Sequence, residues 1–129
     1  MKVNVMMLFN AIRKNKKAKR QKLHTKKAKK VVSTYQEPLK VNNKSSFTKN
    51  THLGANTHFN GIMIRGDGYV TVGDNFHSAA ELVFITRFHN YDTGKAIPYD
   101  DTYIQKDITI EDNVWIGYRC IVLGGGHYR

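Results

Sequence analysis

The residue best suited to chemistry is His89, which stands where an aliphatic repeat ends and the polar stretch 90–107 begins. A neutral imidazole titrates near the working pH, so it can take a proton from a hydroxyl group and return it. A position between a repeat and a loop presents a side chain to solvent or to a partner. We therefore predict that His89 is a general base, and the alternative is an ordinary histidine in a surface turn.

Three other kinds of site are not expected. His52, His58 and His77 have no acidic or cysteine partner at ligand spacing, which argues against a metal site. Cys120 is the only cysteine, so an intrachain disulfide is excluded, and its inward position in the repeat indicates a core residue. The triplet 124–126 is glycine-rich but is not followed by Lys-Ser or Lys-Thr, so it is not a phosphate loop.

A six-residue repeat must position His89. Residues 53–57, 72–76 and 110–114 share one pattern, in which an aliphatic residue is followed by Gly or an acid and then by Asn or Asp. Asn, Asp and Gly tolerate the left-handed backbone of a tight corner. Six is the repeat of a β-helix in which three faces make a coil of about 18 residues. An antiparallel sheet with loose period-two patterning is the alternative. The columns six residues apart are Leu53/Phe59, Val72/Ser78/Phe84 and Ile110/Ile116/Val122.

The positive charge is concentrated at one end of the chain. The net charge is +11, but residues 1–40 hold 13 basic residues and a single acid, whereas residues 41–129 hold 8 basic residues and 9 acids. A near-neutral body argues against a compact nucleic-acid-binding domain, so nucleic acid is an unlikely partner. We predict a basic N-terminal arm and linker over residues 1–46 and a β-rich domain over residues 47–129.

The arm itself is expected to be partly helical. Residues from Arg13 to Lys30 favour helix but offer almost no apolar face, and like charges four apart oppose it. Three alternatives are open for the arm. It is a solvated, partly disordered tail, or it attaches to anionic lipid with residues 7–9 inserted into the bilayer, or it binds nucleic acid. The residues that predict one face of a short helix are Met1, Val5, Leu8, Phe9 and Ile12.

The cellular location follows from what the sequence lacks. No apolar run approaches the ~18 residues of a spanning helix, and no secretory signal is recognisable. We expect a protein that is made and kept in the cytoplasm, with peripheral contact to the inner face of the membrane through the basic arm.

The stretch 72–122 resembles the hexapeptide-repeat acyltransferases, and among them the sugar and polysaccharide O-acetyltransferases related to maltose and galactoside acetyltransferase. The resemblance extends over about 70 of the 129 residues, from Leu53 to Gly125. It is carried by an ordered set of motifs: Val72-Gly73-Asp74-Asn75, Thr86-Arg87-Phe88-His89, the loop Ile97-Pro98-Tyr99-Asp100, and Asn113-Val114-Trp115-Ile116-Gly117.

The resemblance implies an all-β body folded as a left-handed parallel β-helix of about three coils, with left-handed crossovers that depart from the usual rule. It further implies a homotrimer that binds acetyl-CoA as co-substrate, without a metal, in a groove between adjacent subunits. His89 would remove the proton from a hydroxyl of a sugar or polysaccharide precursor, which then attacks the thioester.

The resemblance also assigns roles to five other residues. Asn60 would donate a hydrogen bond near the developing oxyanion. Asp67 would bind acceptor hydroxyls, and Trp115 would wall the active site or pack against the next subunit. The backbone at Gly117 and Tyr118 would meet the pantetheine arm of the coenzyme.

The chain departs from the family pattern after Gly124. Family members continue with one or two further coils, so the resemblance implies a C-terminally truncated relative. An inactive β-helical remnant whose basic tail attaches to a membrane or to nucleic acid is therefore the alternative function.

Overall fold

The structure is a computed structural model that describes residues 4–129. It consists of one α-helix followed by thirteen short strands, most of them parallel. Helix α1 spans Val5–Val31. The strands are β1 Leu39–Val41, β2 Thr51–Leu53, β3 Thr57–Phe59, β4 Ile62–Arg65, β5 Val70–Val72, β6 His77–Ser78, β7 Leu82–Ile85, β8 Arg87–His89, β9 Tyr103–Gln105, β10 Ile108–Ile110, β11 Trp115–Ile116, β12 Ile121–Leu123 and β13 His127–Tyr128.

The parallel strands form three sheets that the chain visits in rotation. Sheet A contains β2, β5, β10 and β13, sheet B contains β1, β3, β6 and β11, and sheet C contains β4, β7 and β12. Each passage through A, B and C makes one rung, and each rung lies in parallel register on the one before, as in the pairing of Val70 with Thr51 on one side and Ile108 on the other. The body is therefore built of stacked parallel strands, and the alternative of an antiparallel sheet does not describe it.

Strand pairing begins earlier than the sequence suggests. Thr34 bridges to His52, β1 pairs with β3, and Ser46 bridges to Met63. Together these contacts make a first rung from the segment that was assigned to the linker. The boundary that we predicted between residues 46 and 47 thus falls inside the paired rungs, because short strands interrupted by polar turns resemble a linker in composition.

The core lies along the axis enclosed by the three sheets. The six-residue columns point inward as predicted: the residues at 53, 59, 72, 78, 84, 110 and 122 are all buried, and Ile116 is partly buried against the core. Removing this apolar surface from water is the main source of stability. Cys120 is also partly buried against the core, as its repeat position predicted.

Asparagines form one corner of every complete rung. Asn56, Asn75 and Asn113 all have φ between 56° and 63°, which confirms the prediction of left-handed corner residues. Their side chains stack in a ladder, since Asn56 donates to Asn75 at 3.0 Å and Asn75 donates to Asn113 at 2.9 Å. Gly73 lets adjacent rungs approach here, because a Cβ at this position would lie 2.8 Å from the backbone N of Asp112.

Helix α1 is continuous from Val5 to Val31, whereas we expected an arm that is only partly helical. Asn4 caps it by accepting a hydrogen bond from the backbone N–H of Met6, and Ala28 and Val32 are buried against the body. Docking of this C-terminal half offsets the repulsion among like charges that argued against a helix. Met1, which we placed on its apolar face, lies outside the described residues.

Candidate functional site

His89 lies at the base of the loop that leaves the stacked rungs. It ends strand β8, which pairs antiparallel with β9 so that His89 faces Tyr103 across the pair. The imidazole stacks on Tyr99, with ring centroids 3.8 Å apart and planes inclined by 17°, and it lies 4.9 Å from the ring of Tyr103. The side chain is exposed, so aromatic contacts position the ring while leaving it accessible from solvent.

The loop that carries Tyr99 is internally ordered by two polar residues. Asp100 accepts hydrogen bonds from the backbone N–H groups of Lys95 and Thr102 and from the hydroxyl of Thr102. The Thr102 hydroxyl, followed by these N–H groups, lowers the pKa of the Asp100 carboxyl. Asn90 accepts from the backbone and hydroxyl of Thr93 at the other end. Asp100 thus orders the part of the loop that contains Tyr99.

An open groove of about 740 Å³ runs beside His89. Arg65, Asp67, Arg87 and Tyr103 line it together with His89. The guanidinium of Arg87 lies 3.9 Å from the ring centroid of Tyr103, and its Nη1 lies 3.9 Å from a carboxylate oxygen of Asp67. This is an exposed ion pair of modest energy. The groove offers one carboxylate and two cations to a polar ligand beside the imidazole.

Asn60 lies in a second groove and not beside His89. Its side-chain oxygen Oδ1 accepts a hydrogen bond from the Asn42 side chain at 2.6 Å. Its side-chain nitrogen Nδ2 donates to the backbone oxygen of Ser78 at 2.9 Å and lies 3.2 Å from Nε2 of His77. These contacts occupy the amide in a ladder between rungs. The second groove, of about 770 Å³, is also lined by Glu81.

Gly117 and Tyr118 lie at the same corner as Asn60, between sheets B and C. The Tyr118 hydroxyl donates to Glu81 at 3.0 Å, and Arg119 contacts the other oxygen of Glu81 at 2.6 Å. Arg119, followed by Tyr118, lowers the pKa of the Glu81 carboxyl, and the hydrogen bond to Glu81 raises the pKa of Tyr118. Gly117 is open, since a Cβ there would meet no atom closer than 3.8 Å.

Trp115 is 70% exposed on the outer face of sheet B, where it pairs with His77. On the same column, His77 pairs with His58 and His58 with Lys40. Burial, followed by the charge of Lys40, lowers the pKa of His58. Trp115 therefore lies apart from both grooves within one chain.

The structure thus divides the six predicted site residues between separate places. His89 and Asp67 share one groove. Asn60, Gly117 and Tyr118 lie at the corner between sheets B and C, at the other ends of the strands of sheet C, and Trp115 lies on sheet B. The outer face of sheet C lies between these two ends and exposes Met63, Ile121 and Leu123.

Sequence reasoning missed three residues around the imidazole, namely Arg87, Tyr99 and Tyr103. Arg87 precedes His89 by two positions, a spacing that places both on one face of a strand. That signal was available in the sequence. The two tyrosines carried no comparable signal, because the loop conformation that brings them to His89 depends on the hydrogen bonds of Asp100.

Within residues 4–129, no three His, Cys, Asp or Glu side chains are grouped so that they could hold a metal ion. No helix in this part of the chain combines the length and the apolar character needed to cross a bilayer. In comparisons with known proteins, no family model, no curated protein and no solved structure matches the chain.

Proposed function

We propose that the protein is an acetyl-CoA-dependent O-acetyltransferase that acts on a hydroxyl of a sugar or polysaccharide precursor, with His89 as general base. The observation that carries the proposal is the exposed His89 ring, held by Tyr99 and Tyr103 at the rim of a groove that Asp67 also lines. An accessible imidazole with fixed orientation, beside a carboxylate that can accept hydrogen bonds from hydroxyls, fits a sugar acceptor.

The proposed chemistry is a direct transfer between two bound substrates. His89 accepts the proton of the acceptor hydroxyl as the oxygen attacks the carbonyl carbon of the thioester. The tetrahedral intermediate then collapses, the carbon–sulfur bond breaks, and the coenzyme A thiolate takes the proton from the imidazolium. The ester product and free coenzyme A are released, and the imidazole returns to its neutral form.

We further propose that the winding of the strands is a left-handed β-helix and that three copies assemble. The rotation of the chain through three parallel sheets supports a β-helix, and the resemblance to the hexapeptide-repeat acyltransferases is the ground for its left-handed winding. Two features support the assembly: sheet C exposes apolar Met63, Ile121 and Leu123, and the site residues at the two ends of its strands would meet across subunits. Acetyl-CoA would then lie between the Gly117–Tyr118 corner of one subunit and His89 of the next.

The test is release of the coenzyme A thiol from acetyl-CoA in the presence of galactoside and glucose-oligomer acceptors. The full chain is expected to release thiol only when an acceptor is present. His89→Ala should lower turnover at least about 100-fold. His52→Ala is the matched control, because His52 bonds to Thr34 on sheet A away from the groove. Unchanged turnover in His89→Ala would remove the assignment.

Assembly is tested separately by light scattering on the eluting protein. Ile121→Glu places a charge on the outer face of sheet C and is expected to yield monomers. Ile97→Glu makes the same change at a fully accessible loop position and should leave the mass unchanged. A monomeric wild type would contradict the trimer without touching the assignment of His89.

A further inference from the structure

Helix α1 is divided into a docked half and a free half. Gln21 bonds to the Asn42 side chain, Thr25 accepts from the backbone N–H of Val41 at 2.9 Å, and Ala28 is buried. By contrast, every residue from 4 to 20 is exposed. The free half therefore extends about 24 Å beyond its attachment.

The free half is strongly cationic. Residues 5–20 contain six Lys or Arg residues and no Asp or Glu, and the whole of α1 contains eleven basic residues and no acid. In contrast, residues 41–129 carry a near balance of charges. The positive potential is thus concentrated on one projecting helix, where it can meet an anionic surface without interference from the body.

The tip of the free half is apolar on all sides. Five consecutive residues, from Val5 to Phe9, cover more than one helical turn, and each is at least 53% exposed. A helix with an apolar stripe along one face is expected to lie flat on an apolar layer. A helix whose terminal turn is apolar on all sides is expected to insert that end into the layer first. Behind the tip, one stripe changes from apolar to basic along Phe9, Ile12, Arg13, Lys16, Lys17 and Arg20.

We propose that residues 5–20 bind an anionic lipid bilayer, with the apolar tip among the acyl chains and the basic stripe at the headgroups. The order of the two regions matches the order of the two layers of a membrane surface. Nucleic acid offers anionic phosphate to the basic stripe but no apolar layer for a full turn of Met, Leu and Phe side chains. This inference is independent of the acetyltransferase proposal.

The experiment is co-sedimentation of the full chain with vesicles of phosphatidylcholine alone or with about one third phosphatidylglycerol. Binding is expected only to the anionic vesicles and should weaken as salt is raised. The double variant Arg13→Glu, Lys17→Glu should lose at least about tenfold in affinity. Lys49→Glu with Lys95→Glu is the matched control, because it changes the net charge equally at exposed positions of the body and should keep wild-type affinity.

A second pair of variants tests the tip. Leu8→Ser with Phe9→Ser should lower the affinity for anionic vesicles about tenfold or more while leaving the charge unchanged. Ile97→Ser, at an exposed loop position, should not. Circular dichroism of each variant verifies that the helix is retained.

Three results would overturn the proposal. One is equal binding to neutral and anionic vesicles. Another is a loss of affinity in the variant Lys49→Glu, Lys95→Glu that equals the loss in the variant Arg13→Glu, Lys17→Glu. The third is competition in which duplex DNA displaces the protein from vesicles and binds the Leu8→Ser, Phe9→Ser variant as tightly as wild type, since this would assign the helix to nucleic acid.

Discussion

The imidazole of His89 lies face to face with the ring of Tyr99, with 3.8 Å between the ring centroids, although Tyr99 is ten positions further along the chain. The contact joins the last residue of a strand to the middle of a loop. It depends on Asp100, which follows Tyr99 and accepts hydrogen bonds from both sides of the loop. Asp100 therefore supports the position of the proposed base indirectly, by ordering the loop that carries Tyr99.

The stack predicts a signature in the proton spectrum of the His89 ring. A ring held over an aromatic face is shielded, so the carbon-bound protons of His89 should resonate upfield of those of an exposed histidine. Tyr99→Leu should move them downfield, and Asp100→Asn should move them part of the way. Tyr91→Leu serves as control because Tyr91 is 73% exposed on the same loop. No movement in Tyr99→Leu would show that the stack is absent in solution.

Two buried hydroxyls in sheet B predict a stabilising substitution. Thr57 and Ser78 are fully buried, and their hydroxyls have no hydrogen-bond partner among residues 4–129. Thr57→Val keeps the shape and removes the unsatisfied group, so the free energy of unfolding should rise by about 1 kcal/mol. The measurement is urea unfolding.

Thr51 provides the matched control for that substitution. It is equally buried, but its hydroxyl lies 3.1 Å from the hydroxyl of Thr48. Thr51→Val should therefore lower the free energy of unfolding by about 1 kcal/mol. If both variants were destabilised alike, the hydroxyl of Thr57 would have a partner that the structure does not show.

His58 predicts a loss of stability in mild acid. Burial, then Lys40 and then His77, lower its pKa below the ordinary value of 6.5. The unfolded chain consequently binds a proton here more readily than the folded protein. Stability should fall as the pH drops below about 6.5 and through the lowered pKa, with no contribution from this group above that range.

The check is the melting temperature at about pH 7.5 and pH 5.5. The decrease between these values should be smaller in His58→Gln than in wild type, because the variant has no proton to gain at this position. An equal decrease in both proteins would mean that other groups cause the acid sensitivity.

The docking of α1 predicts unequal effects at two alanines of the same helix. Ala28 is 4% exposed, whereas Ala18 lies in the free half. Ala28→Gln forces a longer polar side chain against the body and should destabilise the docked half by about 1 to 3 kcal/mol. Trypsin should then cleave faster after the lysines between 22 and 30. Ala18→Gln should leave that rate unchanged, and equal rates in the two variants would contradict the docking.

Much of the body could be predicted from the sequence because its signals are local. The aliphatic columns indicate which side chains are buried, and Asn56, Asn75 and Asn113 indicate where the backbone is left-handed. In both cases the type of the residue is itself the signal. Glu81 and Arg119 were missed for the opposite reason. Their φ angles are 59° and 56°, which their residue types do not suggest, and an ion pair joins the two side chains although they are distant in the chain.

The candidate site was less predictable than the rungs. His89 was identified because a histidine at the end of a repeat is a local pattern, and its exposure agrees with that position. The sequence does not indicate that the side-chain amide of Asn60 is hydrogen-bonded to Asn42 and Ser78, because those contacts form only when the rungs stack. Likewise, Lys and Arg content described the charge of α1 but not which half would dock.

The loop that carries Tyr99 leaves and rejoins the stacked strands at almost the same point. The backbone N–H of Lys106 donates to the carbonyl of Thr86 at 2.9 Å, so the two ends of the excursion are already neighbours. Asn75 and Asn113 are 38 residues apart, whereas Asn56 and Asn75 are 19 apart, yet both pairs stack equally well. A change in the length or sequence of this excursion therefore need not alter the register of the rungs on either side of it.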